Sequence, residues 1–323
     1  MICVVIPYYQ RSGGLLARAV ESVFAQDIDE EILIIIVDDA SPIPADNEIA
    51  RMCSPAHIRI KVLAQANAGP GAARNTGLSL VPETAQIIAF LDSDDIWSPE
   101  HLSQARKAFD RGADLFLANW EELSGSSMLD RLLPLLIGES TVSGPGASLY
   151  WHHGVLAERH LAQPFFYLSA TALRREALGH VRFNEKLRHA GEDFLYAFEL
   201  AREQPSFWFS PVVTVLSREG VNIYRSVCWG TEASFRGQLD AIMSRRAVLE
   251  ASGLAGGSVV SARRQLHRYR VDFLLQALYC IRQGRTAPLR TAMRVVIADP
   301  AVLLTLPALF LQLLRRALQR PIS

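Results

Sequence analysis

Three aspartates within four residues, Asp92, Asp94 and Asp95, are the side chains of this sequence best suited to chemistry. Carboxylates packed this closely repel one another unless a cation or hydrogen-bond donors compensate their charge. A divalent metal ion is the simplest compensator, and a solvated acidic turn is the alternative, because Asp is common in turns. An EF-hand calcium loop is excluded, since counting from Asp92 its sixth and twelfth positions are Trp97 and Ser103 instead of Gly and Glu.

A second carboxylate pair, Asp38 and Asp39, follows another apolar run in the motif VDDASP. Adjacent parallel strands end at the same edge of a sheet, so both acidic clusters can line one crevice together with Pro7, Tyr8 and Tyr9. Such a crevice can bind a metal and hydroxyl groups, which suggests a substrate that combines phosphate with sugar. The alternative is that the pair only forms a turn ahead of the Ser-Pro that follows it.

The segment AGPGAARN offers what an anionic ligand requires. Gly69 and Gly71 predict an open turn before a helix, and Arg74 supplies a bidentate guanidinium for a phosphate. A surface position at a helix end is the alternative for Arg74. No GxGxxG follows the first strand and no GxxxxGK[ST] occurs in the sequence, which argues against dinucleotide oxidoreductases and P-loop NTPases.

The elements that must position these side chains follow from unbroken apolar runs, which are typical of strands buried on both faces. These runs span residues 2–6, 32–37 and 87–91, and a further strand is predicted over residues 58–63. A helical apolar stripe over 15–24 separates the first two, so we predict a right-handed, parallel β-α-β unit. Ser98 and Pro99 predict the start of another helix directly after the aspartates. The fold class is therefore α/β, with a doubly wound sheet.

Composition limits the range of functions. The chain has 323 residues, half of them apolar, and a formal net charge of zero, so it can bury a large core and shows no bulk charge for nucleic acid. Its four cysteines lack ligand spacing, and its N-terminus lacks the basic region of a secretory signal. We therefore predict a cytoplasmic protein that binds no nucleic acid.

The C-terminal third has a different character. Strand patterns stop near residue 226, and Arg-rich amphipathic helices follow, which predicts one domain over 1–225 and a helical region over 226–323. An apolar stretch over 301–314 is too short and too interrupted for a confident transmembrane helix. It could lie in the headgroup region of a membrane, where anionic lipids attract arginines, or pack on the protein or on another subunit. The arginines concerned are Arg290, Arg294, Arg315 and Arg316.

Taken together, IPYYQR, VDDASP, AGPGAARNTG, FLDSDDIWSPEHL and GEDFLYAFELA resemble, in order and spacing, the motifs of family 2 glycosyltransferases. The resemblance covers about residues 1–225 and implies the GT-A fold, a Rossmann-like, mostly parallel sheet that binds a nucleotide-sugar. Within the family, the pattern is similar to glucosyltransferases of succinoglycan-type exopolysaccharide assembly.

The resemblance also implies roles for individual residues. The nucleotide-binding set would be Pro7, Tyr9, Asp38, Asp39, Arg74 and Asp92. Within that set, Tyr9 would stack near the base, Asp39 would bind the base and Asp92 would meet the ribose. Asp94 would hold Mn²⁺ or Mg²⁺ on the diphosphate.

The same likeness places the catalytic base in the acidic pair Glu192 and Asp193, with Asp193 preferred. Capping of the following helix is the alternative role of this pair. The implied activity is the inverting transfer of a sugar from a nucleotide-sugar, with UDP-sugar as the first choice of donor, to a saccharide acceptor. The implied acceptor is a lipid-linked intermediate of exopolysaccharide, capsule or O-antigen synthesis. This predicts a cytoplasmic enzyme, peripheral on the inner membrane if the C-terminal helix binds lipid. A sugar-nucleotide pyrophosphorylase and a non-catalytic binding platform are the rival functions.

Overall fold

The computed structural model describes residues 1–121, 127, 136, 138, 140–142, 149–217, 228–251, 253–254, 256–284 and 288–307. Close contacts divide the chain into two units. The first comprises Met1–Glu185 and Tyr196–Val221, and the second comprises Lys186–Leu195 and Asn222–Ser323. The domain boundary predicted at residue 225 stays a prediction.

The first unit is built around a mixed β-sheet. Its strands are β1 Ile2–Tyr8, β2 Ile32–Asp38, β3 Ile58–Ala64, β4 Ile87–Phe90, β5 Asp95–Trp97, β6 Leu115–Glu121, β7 Ser140–Val142, β8 Tyr150–His152, β9 Thr171–Arg174 and β10 Phe207–Ser217. They follow the order β3-β2-β1-β4-β9-β6-β10-β8-β7, and β5 pairs with β10. Strands β1 to β4 are parallel, whereas β9 runs antiparallel to both β4 and β6.

Helices connect the strands and form most of the second unit. They are α1 Leu15–Phe24, α2 Ala45–Ile49, α3 Pro70–Ser79, α4 His101–Asp110, α5 Leu156–Ala162, α6 Arg175–Leu178, α7 Glu192–Arg202, α8 Glu232–Glu250, α9 Gly256–Arg282 and α10 Leu289–Ala298. Short 3₁₀ helices cover Leu168–Ala170 and Pro300–Thr305. Residues 192–195 of α7 belong to the second unit and residues 196–202 to the first.

The predicted β-α-β unit is confirmed. Strands β1 and β2 pair in parallel with Ile2 opposite Ile32 and Tyr8 opposite Asp38, so both end at the same level. Helix α1 buries Leu16, Ala19 and other apolar residues of its stripe. The apolar runs predicted these strands because both faces of the central sheet are covered.

Two local predictions are wrong. The segment after Gly69 is not an open turn, because α3 begins at Pro70 and already contains Gly71. The aspartates are not followed directly by a helix at Ser98 either, because β5 comes first and α4 begins at His101. The reason is tertiary: β5 pairs with β10, more than a hundred residues later in the chain, and no local signal announces that partner.

The second unit has its own apolar core. Its buried members include Phe235 and Ile242 on α8, Phe273 on α9, Val295 on α10 and Val302 in the last 3₁₀ helix. Among the helices in the described stretches, none combines the length and apolar character that a membrane span requires. Residues 308–314 of the predicted apolar tail, and the two arginines after it, lie outside the described residues.

Candidate active site

The C-terminal ends of β1, β2 and β4 form one edge of the sheet, because β1 lies between the other two and all three are parallel. Asp38 ends β2 and Asp39 follows it, while Asp92 and Asp94 follow β4 at the same edge. The crevice predicted at this edge therefore has the required topology.

Gln10 links these strand ends. Its backbone N–H donates to Ser41 Oγ at 2.9 Å, and its side-chain Nε2 donates to Ser93 Oγ at 3.0 Å. Gln10 thereby ties the end of β1 to the loop after β2 and to the aspartate motif after β4. The sequence assigned this residue no role, and its position two residues after the first strand is the signal that could have found it.

Asp38 and Asp39 are both nearly buried, at 6% and 4% exposed. The Asp38 carboxylate accepts hydrogen bonds from the backbone N–H groups of Ser41 at 2.7 Å and Ala45 at 2.8 Å. These are the contacts of the turn-forming alternative. The nucleotide contact predicted for Asp38 stays a prediction.

Asp39 organises the loop before α3. Its Oδ1 accepts from Gln65 Nε2 and the Ala68 N–H, and its Oδ2 accepts from the Gly69 N–H, each at 2.8 Å. Asn67 Nδ2 donates to the Asp39 carbonyl at 2.9 Å. The Gly-rich segment is therefore fastened to the end of β2 by this one residue.

Arg74 lies on α3 and forms an ion pair with Asp92, with Nη2 and Oδ1 2.6 Å apart. Its guanidinium also lies 5.4 Å from the centroid of the Phe183 ring. The sequence singled out both members of this pair without predicting that they meet. The phosphate contact of Arg74 stays a prediction, and the structure adds that a carboxylate already orients the guanidinium.

Asp94 and Asp95 differ in their surroundings. Burial and the neighbouring charge of Asp92 raise the pKa of Asp94 to about 6. Asp95 is only 2% exposed and accepts hydrogen bonds from Tyr167 and Ser169, and burial raises its pKa as well. Ser169 Oγ also accepts a hydrogen bond from the Asp92 N–H at 3.0 Å. Asp95 and Ser169 therefore fix the backbone of the aspartate motif.

The carboxylates after β4 fit a divalent cation that shares its ligands with a substrate. Within the described residues, no group of three His, Cys, Asp or Glu side chains is arranged to hold a metal ion. One or two carboxylates completed by phosphate oxygens and water are how Mg²⁺ is usually bound. Burial first, and the charge of Asp92 second, raise the pKa of Asp94, and a bound cation would favour its ionised form.

The remaining predicted site residues lie as follows. Pro7 and Tyr9 are half-buried at the end of β1. Glu192 and Asp193 open α7 in the second unit, where Gly191 accepts the first helical hydrogen bond through its carbonyl, from the Leu195 N–H at 3.0 Å. Asp193 Oδ1 accepts the N–H of Phe194 at 2.6 Å.

Comparisons with known proteins agree on one family. Residues 3–182 match the family model described as Glycosyl transferase family 2. The chain is 32% identical over 251 residues to the succinoglycan biosynthesis protein ExoW of Rhizobium meliloti, covering 70% of this chain and 71% of that protein. It is 38% identical over 112 residues to the minor teichoic acid biosynthesis protein GgaA of Bacillus subtilis, covering 34% of this chain and 25% of that protein.

Solved structures show the same fold at low sequence identity. S. aureus TarS in complex with UDP-GlcNAc superimposes with a TM-score of 0.62 at 17% identity, over 93% of this chain and 81% of that chain. The mannosyltransferase PcManGT from Pyrobaculum calidifontis, in complex with GDP-Man and Mn²⁺, has a TM-score of 0.59 at 17% identity, over 94% and 80%.

Proposed function

The chain belongs to glycosyl transferase family 2, and from this premise we propose that it is an inverting enzyme that transfers one sugar from a nucleoside diphosphate sugar to a saccharide. We propose a UDP-sugar as donor and a lipid-linked intermediate of exopolysaccharide synthesis as acceptor. Likeness to ExoW in sequence and to a UDP-GlcNAc complex in fold supports this choice. Family membership argues against the pyrophosphorylase alternative.

The observation that carries the proposal is the carboxylate pair of Asp92 and Asp94 at the end of β4. The pair stands at the sheet edge where α/β folds bind nucleotides, and burial together with the charge of Asp92 raises the pKa of Asp94. A divalent cation that binds together with a nucleoside diphosphate would place positive charge beside these two carboxylates. Of the solved neighbours, PcManGT carries a nucleotide-sugar together with Mn²⁺.

Each predicted residue takes a part in donor binding. Tyr9 offers a ring for the base, Asp39 hydrogen-bonds the base, and Asp92 binds the ribose. Pro7 and Asp38 shape the same edge, and Arg74 holds Asp92 while facing the diphosphate. Asp94 is the proposed ligand of Mn²⁺ or Mg²⁺, which when bound offsets charge on the leaving diphosphate.

The proposed chemistry is a single displacement at the anomeric carbon. The acceptor hydroxyl oxygen forms a bond to that carbon, the bond to the diphosphate oxygen breaks, and the diphosphate leaves with the electron pair. Asp193 accepts the hydroxyl proton, and Glu192 beside it is the second candidate. Attack from the face opposite the leaving group inverts the anomeric centre, so a UDP-α-sugar yields a β-glycoside.

We also propose that the enzyme works at the cytoplasmic face of a membrane and touches it through α10. Three apolar residues one turn apart on this helix are strongly exposed: Leu289 at 69%, Met293 at 62% and Ile297 at 73%. Arg290 and Arg294 are exposed on the same helix. An apolar face flanked by arginines suits the headgroup region of an anionic bilayer.

Calorimetric binding of UDP, GDP, TDP and CMP, each with Mn²⁺ and with EDTA, tests the donor class. We expect UDP to bind at least about tenfold more tightly with Mn²⁺, a difference of about 1.4 kcal/mol. Preferential binding of GDP would show that the donor is a GDP-sugar instead of a UDP-sugar. Binding of none of the four would contradict the proposal, and binding without turnover of any sugar would favour the non-catalytic platform.

Two variants separate binding from catalysis. Asp94→Ala should abolish the gain in UDP affinity that Mn²⁺ provides, because the protein ligand is lost. Asp193→Asn should bind UDP normally while kcat falls about 10²- to 10⁴-fold, the usual contribution of a general base. Calorimetry and steady-state kinetics measure the two effects, and equal loss of UDP binding in both variants would contradict the division of roles.

A further inference from the structure

The segment that carries Asp193 is held by α8. Asp240 on α8 is nearly buried, and its Oδ2 accepts the backbone N–H of Arg188 at 2.9 Å and that of His189 at 2.7 Å. His189 Nδ1 lies 3.1 Å from the same oxygen. One carboxylate on α8 thereby fixes the chain four residues before Asp193.

Gly191 is pressed against the next turn of α8. A Cβ atom built on Gly191 would lie 2.6 Å from Ser244 Oγ and 3.2 Å from Arg245 Nη1. Gly191 also has φ +79°, in the left-handed region that favours glycine. Both facts require glycine here, so the turn that starts α7 is shaped by its contact with α8.

Arg245 completes this contact. It is only 6% exposed, and its guanidinium carbon lies 3.7 Å from the centroid of the Phe194 ring and 4.6 Å from that of Tyr269 on α9. Its Nη1 donates to Ser244 Oγ at 2.9 Å. The cation therefore stacks on the residue that directly follows Asp193.

A buried guanidinium has to be balanced by charge or hydrogen bonds. Burial lowers the pKa of Arg245, and the nearby phenol group of Tyr269 and carboxylate of Asp193 act against this effect. Among the described residues, Asp193 is the carboxylate that acts on Arg245 in this way. The charge of the proposed base thus favours the buried cation.

We propose that Asp240 and Arg245 are positioning residues for Asp193, with Asp240 fixing the start of its segment and Arg245 holding the carboxylate through charge and through stacking on Phe194. The proposal rests on the proposed function, in which Asp193 is the base. Ser244 lies one turn after Asp240 on α8, because positions four apart are neighbours on a helix, and Arg245 follows Ser244 directly. A base displaced by about 1 Å can lose on the order of 10²-fold in rate.

Arg245→Met tests the proposal, because Met keeps the length and apolar body of the side chain while removing its charge. We expect kcat to fall about 10- to 100-fold while the affinity for UDP and Mn²⁺ stays within about twofold of wild type. Arg245→Lys, which restores the charge without the planar stack, should recover part of kcat. Arg268→Met is the matched control, since the Arg268 side chain on α9 is 83% exposed, and it should keep wild-type kcat.

A double variant separates positioning from general damage. In the Asp193→Asn background, Arg245→Met should lower the residual kcat no further, because both changes remove the same function. Multiplicative losses in the double variant, or an Arg245→Met variant that matches Arg268→Met, would overturn the proposal. If Asp193→Asn itself kept wild-type turnover, the proposed base would fail first, and this inference would fail with it.

Asp240→Asn keeps the experiment decisive if Arg245→Met does not fold. The amide retains one acceptor oxygen, so the chain should fold, while hydrogen exchange at residues 188–195 should become faster and kcat should fall with UDP affinity unchanged. Unaltered exchange together with unaltered kcat would contradict the role of α8.

Discussion

At the scale of single residues, neighbouring aspartates have different partners. Asp38 bonds backbone N–H groups three and seven residues later, at Ser41 and Ala45, so local sequence announces its turn. Asp39 bonds groups 26 to 30 residues later, from Gln65 to Gly69. The sequence left the same two roles open for both residues, and distance along the chain explains why only the first could be anticipated.

His101 leads to a prediction about pH. It is fully buried, stacks on Trp97 with ring centroids 4.3 Å apart, and its Nδ1 lies 2.8 Å from Thr214 Oγ1. Burial lowers its pKa to about 3, so the folded state keeps the ring neutral while the unfolded state takes up a proton below the ordinary histidine pKa of 6.5. The contribution of the neutral His101 ring to folding stability is therefore fully present above pH 6.5 and is lost as the pH falls toward 3.

Urea unfolding at pH 7.5 and pH 5.5 measures this effect. Between these values the wild type should lose about 1.4 kcal/mol more unfolding free energy than His101→Asn, which cannot be protonated. His180→Asn, at a position where the side chain is 61% exposed, should behave like the wild type. Equal losses in His101→Asn and wild type would show that His101 is not the acid-sensitive group.

At the scale of elements, helix α3 depends on close packing against β1. A Cβ on Gly77 would lie 2.4 Å from Val5 Cγ1, whereas a Cβ on Gly237 in α8 would meet nothing within 4 Å. The helix that carries Arg74 can approach the central strand because Gly77 has no side chain. The Gly-rich segment thus serves helix packing as well as ligand approach.

The two helical glycines should respond oppositely to alanine. Gly77→Ala should destabilise the protein by about 1–3 kcal/mol through overpacking, and Val5→Ala in the same chain should recover part of that loss. Gly237→Ala should stabilise it by about 0.5–1 kcal/mol, because alanine favours a helix. Thermal or urea unfolding measures both changes in stability. A Gly77→Ala variant as stable as the wild type would disprove the close contact.

At the scale of the whole molecule, the chain combines a GT-A sheet with a helical unit that has its own core. The sheet confirms the predicted fold, and family membership confirms the predicted enzyme class. The helical unit also includes Lys186–Leu195, so the segment with the proposed base belongs to it. This division gives the C-terminal helices a proposed part in catalysis as well as in membrane contact.

Membrane contact is tested by flotation of the full chain with liposomes. We expect binding to anionic vesicles that weakens with salt and is lost when Leu289, Met293 and Ile297 are all changed to Ser. Val260→Ser, at an exposed apolar position of α9, should float like the wild type. Unchanged flotation of the triple variant, or no flotation of the wild type, would contradict a lipid role for α10.

The sequence by itself determined the parts that depend on local pattern. The strand cores of β1, β2 and β4, the apolar stripe of α1 and the position of the acidic motifs follow from apolar runs and the turns that end them. The motif set likewise indicated the family, which the match of residues 3–182 to the family model confirms. These features need no information about distant neighbours.

Only the tertiary structure decided which of these residues meet. The pairing of β5 with β10, the ion pair of Arg74 with Asp92, and the contact of Arg245 with Phe194 join positions 18 to more than 100 residues apart. No periodicity encodes such partners, because they depend on packing and on charge balance in a buried environment. That is why the sequence predicted the acidic residues of the candidate site, whereas the residues that hold them in place are visible only in the folded chain.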